Sequence, residues 1–151
     1  MVKRGLFAVA AVFLALPAAN AGQGMVTLES KHDVDTTAER LLGALDEAGM
    51  NVFGDVPHSD GAAEAGMELP PTRLIMFGNP EIGTVLMQCD RSVGIDLPMK
   101  ALIWEDDGAT YIGYNGADYL AERHGLAGCE EPLQQIEQAL GNFAAQAAGQ
   151  D

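Results

Sequence analysis

The residues best suited to bind a cofactor are two of the three histidines, His58 and His124. His58 lies in a predicted turn among small residues, which would let a planar ligand approach. Imidazole is a common axial ligand of haem and a common metal ligand. His58 is therefore the first candidate and His124 the second for binding haem b or a metal ion. The alternative for His124 is that it caps its own helix, since it falls in the last helical turn.

Methionine is the other axial haem ligand that the sequence offers. Six methionines follow the first 21 residues: Met25, Met50, Met67, Met76, Met87 and Met99. The covalent attachment motif CxxCH is absent from the sequence, so haem would be held non-covalently. A domain of this size has little interior room for a macrocycle, and an interface between two copies would provide it. The alternative is that these methionines fill the apolar core, as methionine usually does.

Catalytic chemistry has less support than binding. The sequence lacks zinc-site histidine spacing, G-x-S-x-G and CxxC. Asp96 and Lys100 could act as acid and base, although an ion pair is the commoner use of such residues. Cys89 and Cys129 would either close into one disulfide or remain thiols, because sequence does not show their distance. We assign no catalytic residue.

A predicted strand, turn, helix, second turn and hairpin between Leu69 and Tyr114 would hold polar groups on a rigid frame. The apolar run after Arg73 predicts a central strand that is buried on both faces. Asn79 as N-cap and Pro80 as the first helical residue then start a helix, whose backbone N–H groups could hold an anion. This helix is expected to turn four residues inward: Ile82, Val85, Leu86 and Cys89.

Alternating and capping patterns predict the other elements. Four further strands are expected at 25–30, 51–56, 99–105 and 110–114, the last two joined by a hairpin turn at Asp107-Gly108. The alternation places Lys100 on the same face as Trp104. Helices are expected from Thr36, which has capping-box spacing to Glu39, from Tyr119 and from Glu130. The last helix should bury Leu133, Ile136, Leu140 and Phe143, and its small and polar end should fray.

The first 21 residues have the pattern of a secretory signal peptide. Lys3 and Arg4 precede an apolar run, which ends at a small-residue A-x-A site. We therefore expect a secreted protein, located in the periplasm, and no membrane insertion. Without Lys3 and Arg4, six basic residues face 22 acidic ones, so the net charge changes from −14 to −16. Such a charge repels nucleic acid, and it suits a cationic partner or simple solubility.

Eight short motifs in order resemble domain-of-unknown-function family 302. They are His58, followed by Ala62-Ala63 and Gly66, then Leu69-Pro-Pro-Thr, Phe77-Gly-Asn-Pro, Gly83-Thr-Val-Leu-Met, Asp96-Leu-Pro-Met-Lys, Trp104-Glu-Asp and Tyr119-Leu-Ala-Glu-Arg-His-Gly-Leu. The resemblance also carries over Tyr114 as a family position. The resemblance implies an α+β fold with helices packed on one face of a curved, mainly antiparallel sheet, commonly as a homodimer, and it brings no established enzymatic activity. The expected organisation is a signal peptide (1–21), one compact domain (22–128) and a C-terminal amphipathic helix with its tail (129–151).

These observations favour a non-catalytic protein that binds a small ligand or cofactor. The first choice is non-covalent haem b at a dimer interface, for redox, sensing or carriage. The candidate binding residues are His58, His124, Asn79, Lys100 and Tyr114. One alternative is an interaction module that meets a cationic periplasmic partner through its acidic surface. A second alternative is an enzyme that uses Asp96 and Lys100.

Overall fold

The computed structural model describes residues 24–150, so the expected signal peptide lies outside the described residues. The strands are β1 (Met25–Ser30), β2 (Asn51–Pro57), β3 (Thr72–Gly78), β4 (Met99–Asp106) and β5 (Ala109–Asn115). The helices are α1 (Val34–Glu47), α2 (His58–Glu64), α3 (Pro80–Cys89), α4 (Ala117–His124) and α5 (Glu130–Ala148), with a 3₁₀ helix at Arg91–Ile95. All five predicted strands are confirmed to within one residue at each end.

The five strands form one sheet in the order β1-β5-β4-β3-β2, and every neighbouring pair is antiparallel. Along β4 buried residues alternate with half-buried ones, because α1 and α5 cover one face of the sheet. The predicted α+β fold, with a single domain and an antiparallel sheet, is confirmed.

The apolar core lies between the covered face of the sheet and the two long helices. The sheet contributes Ile75, Phe77, Ile103 and Ile112, all at most 1% exposed. Helix α1 contributes Leu41 and Leu45, and α5 buries the four residues expected from its spacing: Leu133, Ile136, Leu140 and Phe143. The 3.6-residue period of each helix thus determines which side faces the sheet.

Strand β3 differs from its prediction in two respects. It is next to the edge strand β2, and β4 is the central strand. Ile75 and Phe77 are buried, whereas Leu74 and Met76 are only half-buried on the other face. The continuous apolar run therefore does not reflect burial on both faces, because the long helices α1 and α5 pack on the opposite face, which carries Ile75 and Phe77. We call the face that carries Leu74 and Met76 the outer face.

Three helix ends also differ from the expected ones. Helix α4 begins at Ala117 rather than at Tyr119, with Gly116 as its N-cap. Helix α1 begins at Val34, because the carboxylate of Asp33 accepts a hydrogen bond from the backbone N–H of Thr36 (2.7 Å), so Thr36 lies inside the first turn. The end of α5 does not fray. Ala147 and Ala148 are fully buried, and the Ala148 carbonyl accepts a hydrogen bond from the N–H of Lys31 (3.0 Å).

Between residues 24 and 150, no helix combines the length and the apolar composition that crossing a membrane requires.

Candidate functional site

An apolar cavity of about 400 Å³ lies between α3, α5 and the adjoining end of the sheet. Its lining includes three methionines and three phenylalanines: Met50, Met87, Met99, Phe53, Phe77 and Phe143. The polar side chains on the lining are the amides of Asn79 and Gln135, and none of the described lining residues is charged. Both the volume and the apolar lining are typical of small-molecule sites.

The turn after β3 directs α3 over the cavity. Asn79 caps α3, its side-chain oxygen accepting a hydrogen bond from the N–H of Glu81 (2.8 Å), and Pro80 follows as the first helical residue. Both predicted roles are confirmed. Of the four residues expected to point inward, only Leu86 is buried, while Val85 is 45% exposed. Helix α3 is thus only partly buried, and its cavity side carries Ile82, Gly83 and Met87.

Helix α5 forms the opposite wall. Ile136, Leu140 and Phe143 recur on the side that faces the sheet, and the small side chain of Ala139 leaves space beside them. The ring of Phe143 packs edge-on against Phe77, with the centroids 6.0 Å apart. This wall is firmly anchored, because seven residues of α5 are buried.

Phe53 lies at the mouth of the cavity. Strand β2 has a bulge between Val52 and Gly54, so Phe53 falls outside the regular register. Its ring lines the cavity although the residue is 54% exposed. A side chain added at Gly78 would come within 3.7 Å of this ring. This is an ordinary van der Waals distance, so Gly78 and Phe53 lie side by side at this end of the cavity.

The structure does not bring the five candidate binding residues together, and only Asn79 lines the cavity. His58 is exposed at the first position of α2, none of whose residues is buried. Within residues 24–150, no cluster of three or more histidine, cysteine, aspartate or glutamate side chains could hold a metal ion.

His124 is buried in a different place, with its side chain 5% exposed. Its Nδ1 lies 2.8 Å from Ser92 Oγ and its Nε2 lies 2.6 Å from Asp96 Oδ2. Arg123 Nε is 3.4 Å from the same Asp96 oxygen. Because both ring nitrogens have partners, neither is available to bind iron without breaking a hydrogen bond.

Ser92, His124 and Asp96 form a chain of hydrogen-bonded side chains with the residue types of a serine-hydrolase triad. The surroundings of this chain are unsuitable for that chemistry. None of the three lines the cavity. The carboxylate of Asp90, whose pKa is lowered by hydrogen bonds from the Ser92 side chain and backbone, lies beside the hydroxyl. A second carboxylate there would repel the oxyanion that forms during acyl transfer. These hydrogen bonds instead join α4 to the 3₁₀ helix and the residue that follows it.

Lys100 does not pair with the Asp96 side chain. Its ammonium group donates hydrogen bonds to the backbone carbonyls of Asp96 (3.0 Å) and Pro98 (2.9 Å). The ion pair considered from the sequence is therefore wrong, and Lys100 stabilises the segment that leads into β4. Because the Asp96 carboxylate contacts His124 and Arg123 instead, the arrangement does not support the acid–base role considered for Asp96 and Lys100.

Tyr114 is 4% exposed on the covered face of the sheet. Burial raises the pKa of its phenol, and the negative charge of Glu137 adds to the effect. A side chain added at Gly141 would come within 3.7 Å of the Tyr114 hydroxyl oxygen, so β5 and α5 approach closely there. Tyr114 is thus a core residue beside the second wall of the cavity.

A disulfide joins the ends of the two cavity walls. The structure pairs Cys89, the last residue of α3, with Cys129, the residue immediately before α5, and their Cα atoms are 6.6 Å apart. Of the two states that the sequence left open for these cysteines, the structure shows the disulfide.

The sequence patterns did not indicate this cavity. Three of the six methionines that follow residue 21 line the cavity, but the sequence suggested them only as haem ligands or core residues. The apolar side chains of α5 were expected to face inward, and they do. What the sequence did not show is that α3 and α5 leave space between them.

Comparisons with known proteins agree with this fold. The family model described as Domain of unknown function DUF302 matches residues 26–143, beyond the expected domain boundary at 128. The crystal structure of an uncharacterized conserved protein DUF302 from Bacillus stearothermophilus superimposes with a TM-score of 0.75 at 21% identity, covering 83% of this chain and 99% of that chain. This likeness shows the shared fold.

Two curated relatives are more similar in sequence. The protein named Fluoride-specific ion channel FluC 1 from Brucella suis biovar 1 (strain 1330) is 53% identical over 104 residues, which are 68% of this chain and 41% of that protein. Fluoride-specific ion channel FluC 2 from Brucella melitensis biotype 1 has the same identity and coverage of this chain, with 38% of its own length covered. This chain thus spans about two fifths of the length of these relatives. Because the family model matches most of the chain, the protein belongs to the DUF302 family.

Proposed function

We propose that this protein binds a neutral, apolar small molecule in the cavity between α3 and α5 and does not turn it over. The observation that carries the proposal is the cavity itself, which combines about 400 Å³ with an almost wholly apolar lining. Burial of apolar ligand surface would supply the affinity, at about 25 cal/mol per Å² removed from water. The amides of Asn79 and Gln135 would orient one polar group of the ligand.

The charge distribution supports a neutral ligand. The described lining residues provide no cation to neutralise an acid and no carboxylate to bind an amine. Placing an unpaired charge in such a cavity is costly, because the charge loses its hydration. The flexible side chains of Met50, Met87 and Met99 can adjust to ligands of different shape. The ligand class is therefore defined by its size and lack of charge.

Haem b is a less suitable ligand for this cavity. Neither His58 nor His124 lines it, so methionine sulphur would have to provide the axial ligands. The two propionates of haem would also meet no cationic side chain on the lining. A haem site at an interface between two copies would use the exposed His58 as an axial ligand. That interface site stays a prediction. We favour the neutral apolar ligand because it fits the observed lining.

A fluorescence titration tests the proposal. The neutral probe N-phenyl-1-naphthylamine should bind saturably, with one molecule per chain, and its emission should rise as it leaves water. The Ala139→Leu variant fills part of the cavity and should weaken binding roughly tenfold, whereas Gln138→Leu adds the same side chain at an exposed position of α5 and should not. Non-saturable binding, or equal affinity in both variants, would reject the cavity as the site.

A second candidate function rests on the curated relatives. Proteins that are 53% identical to this chain over 104 residues are named fluoride-specific ion channels, and the chain spans about two fifths of their length. The shared region could thus be a domain that acts beside a fluoride channel. Fluoride efflux from vesicles that contain the channel should then change when this protein is added. An unchanged efflux rate, with no co-sedimentation of the protein with channel-containing vesicles, would reject this role.

A further inference from the structure

The disulfide lies where it can determine the distance between the two walls of the cavity. Cys89 ends α3 and Cys129 precedes α5 directly, so the bridge joins the walls at one end of the cavity. At its other end, α3 follows β3 after a single residue, Asn79. Helix α3 is therefore covalently tied to the body of the protein on both sides of the cavity.

Besides the bridge, α3 packs mainly on the 3₁₀ helix that follows it, and it buries fewer of its own residues than α5 does. Leu86 is its one buried residue, and Val85 is 45% exposed. Helix α5, in contrast, buries seven residues against the sheet and α1. Because few apolar contacts hold α3, its local stability depends more on the bridge than that of α5 does. Opening the bridge should release the α3 wall and leave the α5 wall in place.

We infer that the Cys89–Cys129 disulfide acts as a redox switch that sets the ligand affinity of the cavity. The inference rests on the proposed function, because it concerns the same ligand site. With the bridge closed, α3 is held over the cavity, and Ile82 and Met87 contact the ligand. With the bridge open, a ligand would have to order α3 when it binds, which lowers the affinity and speeds ligand release.

The reductant for this step is a dithiol, either a small molecule or a protein with two vicinal thiols. One of its thiolates attacks the Cys89 sulphur, because Cys89 is exposed while Cys129 is 3% exposed. The S–S bond breaks, and Cys129 leaves as a thiolate that takes up a proton. The second thiol of the reductant then displaces Cys89. The products are two protein thiols and one reductant disulfide, so two electrons and two protons are transferred.

Titration of the oxidised and the reduced protein tests the switch. N-phenyl-1-naphthylamine is titrated into the full chain before and after reduction with dithiothreitol, and thiol counting confirms each state. We expect roughly tenfold weaker binding after reduction. The double variant Cys89→Ser, Cys129→Ser should have the weaker affinity in both conditions. Ser92→Ala, close to Cys89 in sequence, keeps the bridge and should respond like the unchanged protein.

Circular dichroism and hydrogen exchange separate the possible outcomes. If the reduced protein keeps its fold, exchange should become faster in α3 and stay slow in α5. Equal affinity of the oxidised and reduced protein would overturn the switch while leaving the proposed function intact. Loss of the whole fold on reduction would also overturn the switch, since the bridge would then stabilise the entire protein and not α3 in particular. An oxidised protein that does not bind the probe would instead refute the proposed function.

Discussion

At the scale of single residues, His124 shows how a side chain suited to bind a cofactor can serve packing instead. Its ring joins Ser92 in the 3₁₀ helix to Asp96, and its side chain is almost fully buried. The sequence identified His124 as a helix-ending residue but could not reveal these partners. They lie 32 and 28 residues away in the chain, and only the tertiary structure brings them together.

Replacing His124 by Ala should destabilise the fold and leave the cavity functional. The change leaves a void and removes a hydrogen bond from the mostly buried carboxylate of Asp96, so we expect a loss of about 2–3 kcal/mol in the free energy of unfolding. Urea denaturation measures the loss, and His124→Gln should recover part of it. Abolished probe binding at unchanged stability would contradict this account and make His124 a ligand-binding residue.

Tyr114 should make the stability depend on alkaline pH. Its pKa is raised in the folded protein by burial and by Glu137, so the unfolded chain loses the phenolic proton at a lower pH than the folded one. The free energy of unfolding should be unaffected by this group below about pH 10 and should fall as the pH rises from there through the raised folded pKa. Tyr114→Phe should show a smaller fall. Thermal melts of both proteins between pH 8 and 11 give the midpoint temperature as a function of pH. The same fall of this temperature with pH in both proteins would contradict the prediction.

At the scale of elements, local signals predicted the strands and most helix ends. Asn79 and Pro80 start α3, and Gly125, which has a φ of 61°, ends α4. Such caps depend on a few neighbouring residues, so the sequence can predict them. The cavity cannot be predicted in this way, because it forms where α3 meets α5, which comes from a distant part of the chain. The end of α5 was predicted incorrectly for a similar reason. Its alanines lack a strong apolar signal, yet they are buried where α5 packs against α1 and β1.

Shortening α5 should therefore cost more stability than its composition suggests. Deleting residues 144–151 removes three buried alanines, Ala144, Ala147 and Ala148, and the Gln146 carbonyl that accepts a hydrogen bond from Arg40 (2.7 Å). We expect a loss of about 2–3 kcal/mol, from about 0.8 kcal/mol for each buried methyl group and a share for the hydrogen bond. Deleting only residues 150–151 is the control and should cost less than about 1 kcal/mol. Equal losses in urea denaturation would contradict the packing role of the last turns.

At the scale of the whole molecule, α1 and α5 pack on one face of the sheet, and the apolar residues described on the outer face are only half-buried. The outer face carries Leu74, Met76, Leu102 and the aromatic pair Trp104 and Tyr111, whose ring centroids are 5.6 Å apart. Five strands about 4.8 Å apart and about 20 Å long give a face of roughly 500 Å² per copy. Two such faces would bury roughly 1,000 Å² in total, which is below the roughly 1,200–2,000 Å² of standard stable interfaces and in the range of weak, transient ones. The homodimer implied by the family resemblance stays a prediction, and this face is where we expect it.

A charge on the outer face should keep the protein monomeric. Leu102→Glu would bury a carboxylate without a partner in such a dimer, which costs several kcal/mol and should abolish association at micromolar concentration. Gln138→Glu adds the same charge to an exposed position of α5 and should leave the dimer unchanged. Sedimentation equilibrium measures the mass of both variants. A dimer that persists in Leu102→Glu would exclude the outer face as its interface.

The central claim is that the cavity between α3 and α5 is a site for a neutral apolar molecule. A crystal structure of the oxidised protein grown with N-phenyl-1-naphthylamine tests this claim most directly. We expect one probe molecule between the two helices, in contact with Phe77, Phe143 and Met87. A probe bound only on the outer face, or an empty cavity in crystals that contain saturating probe, would contradict the claim.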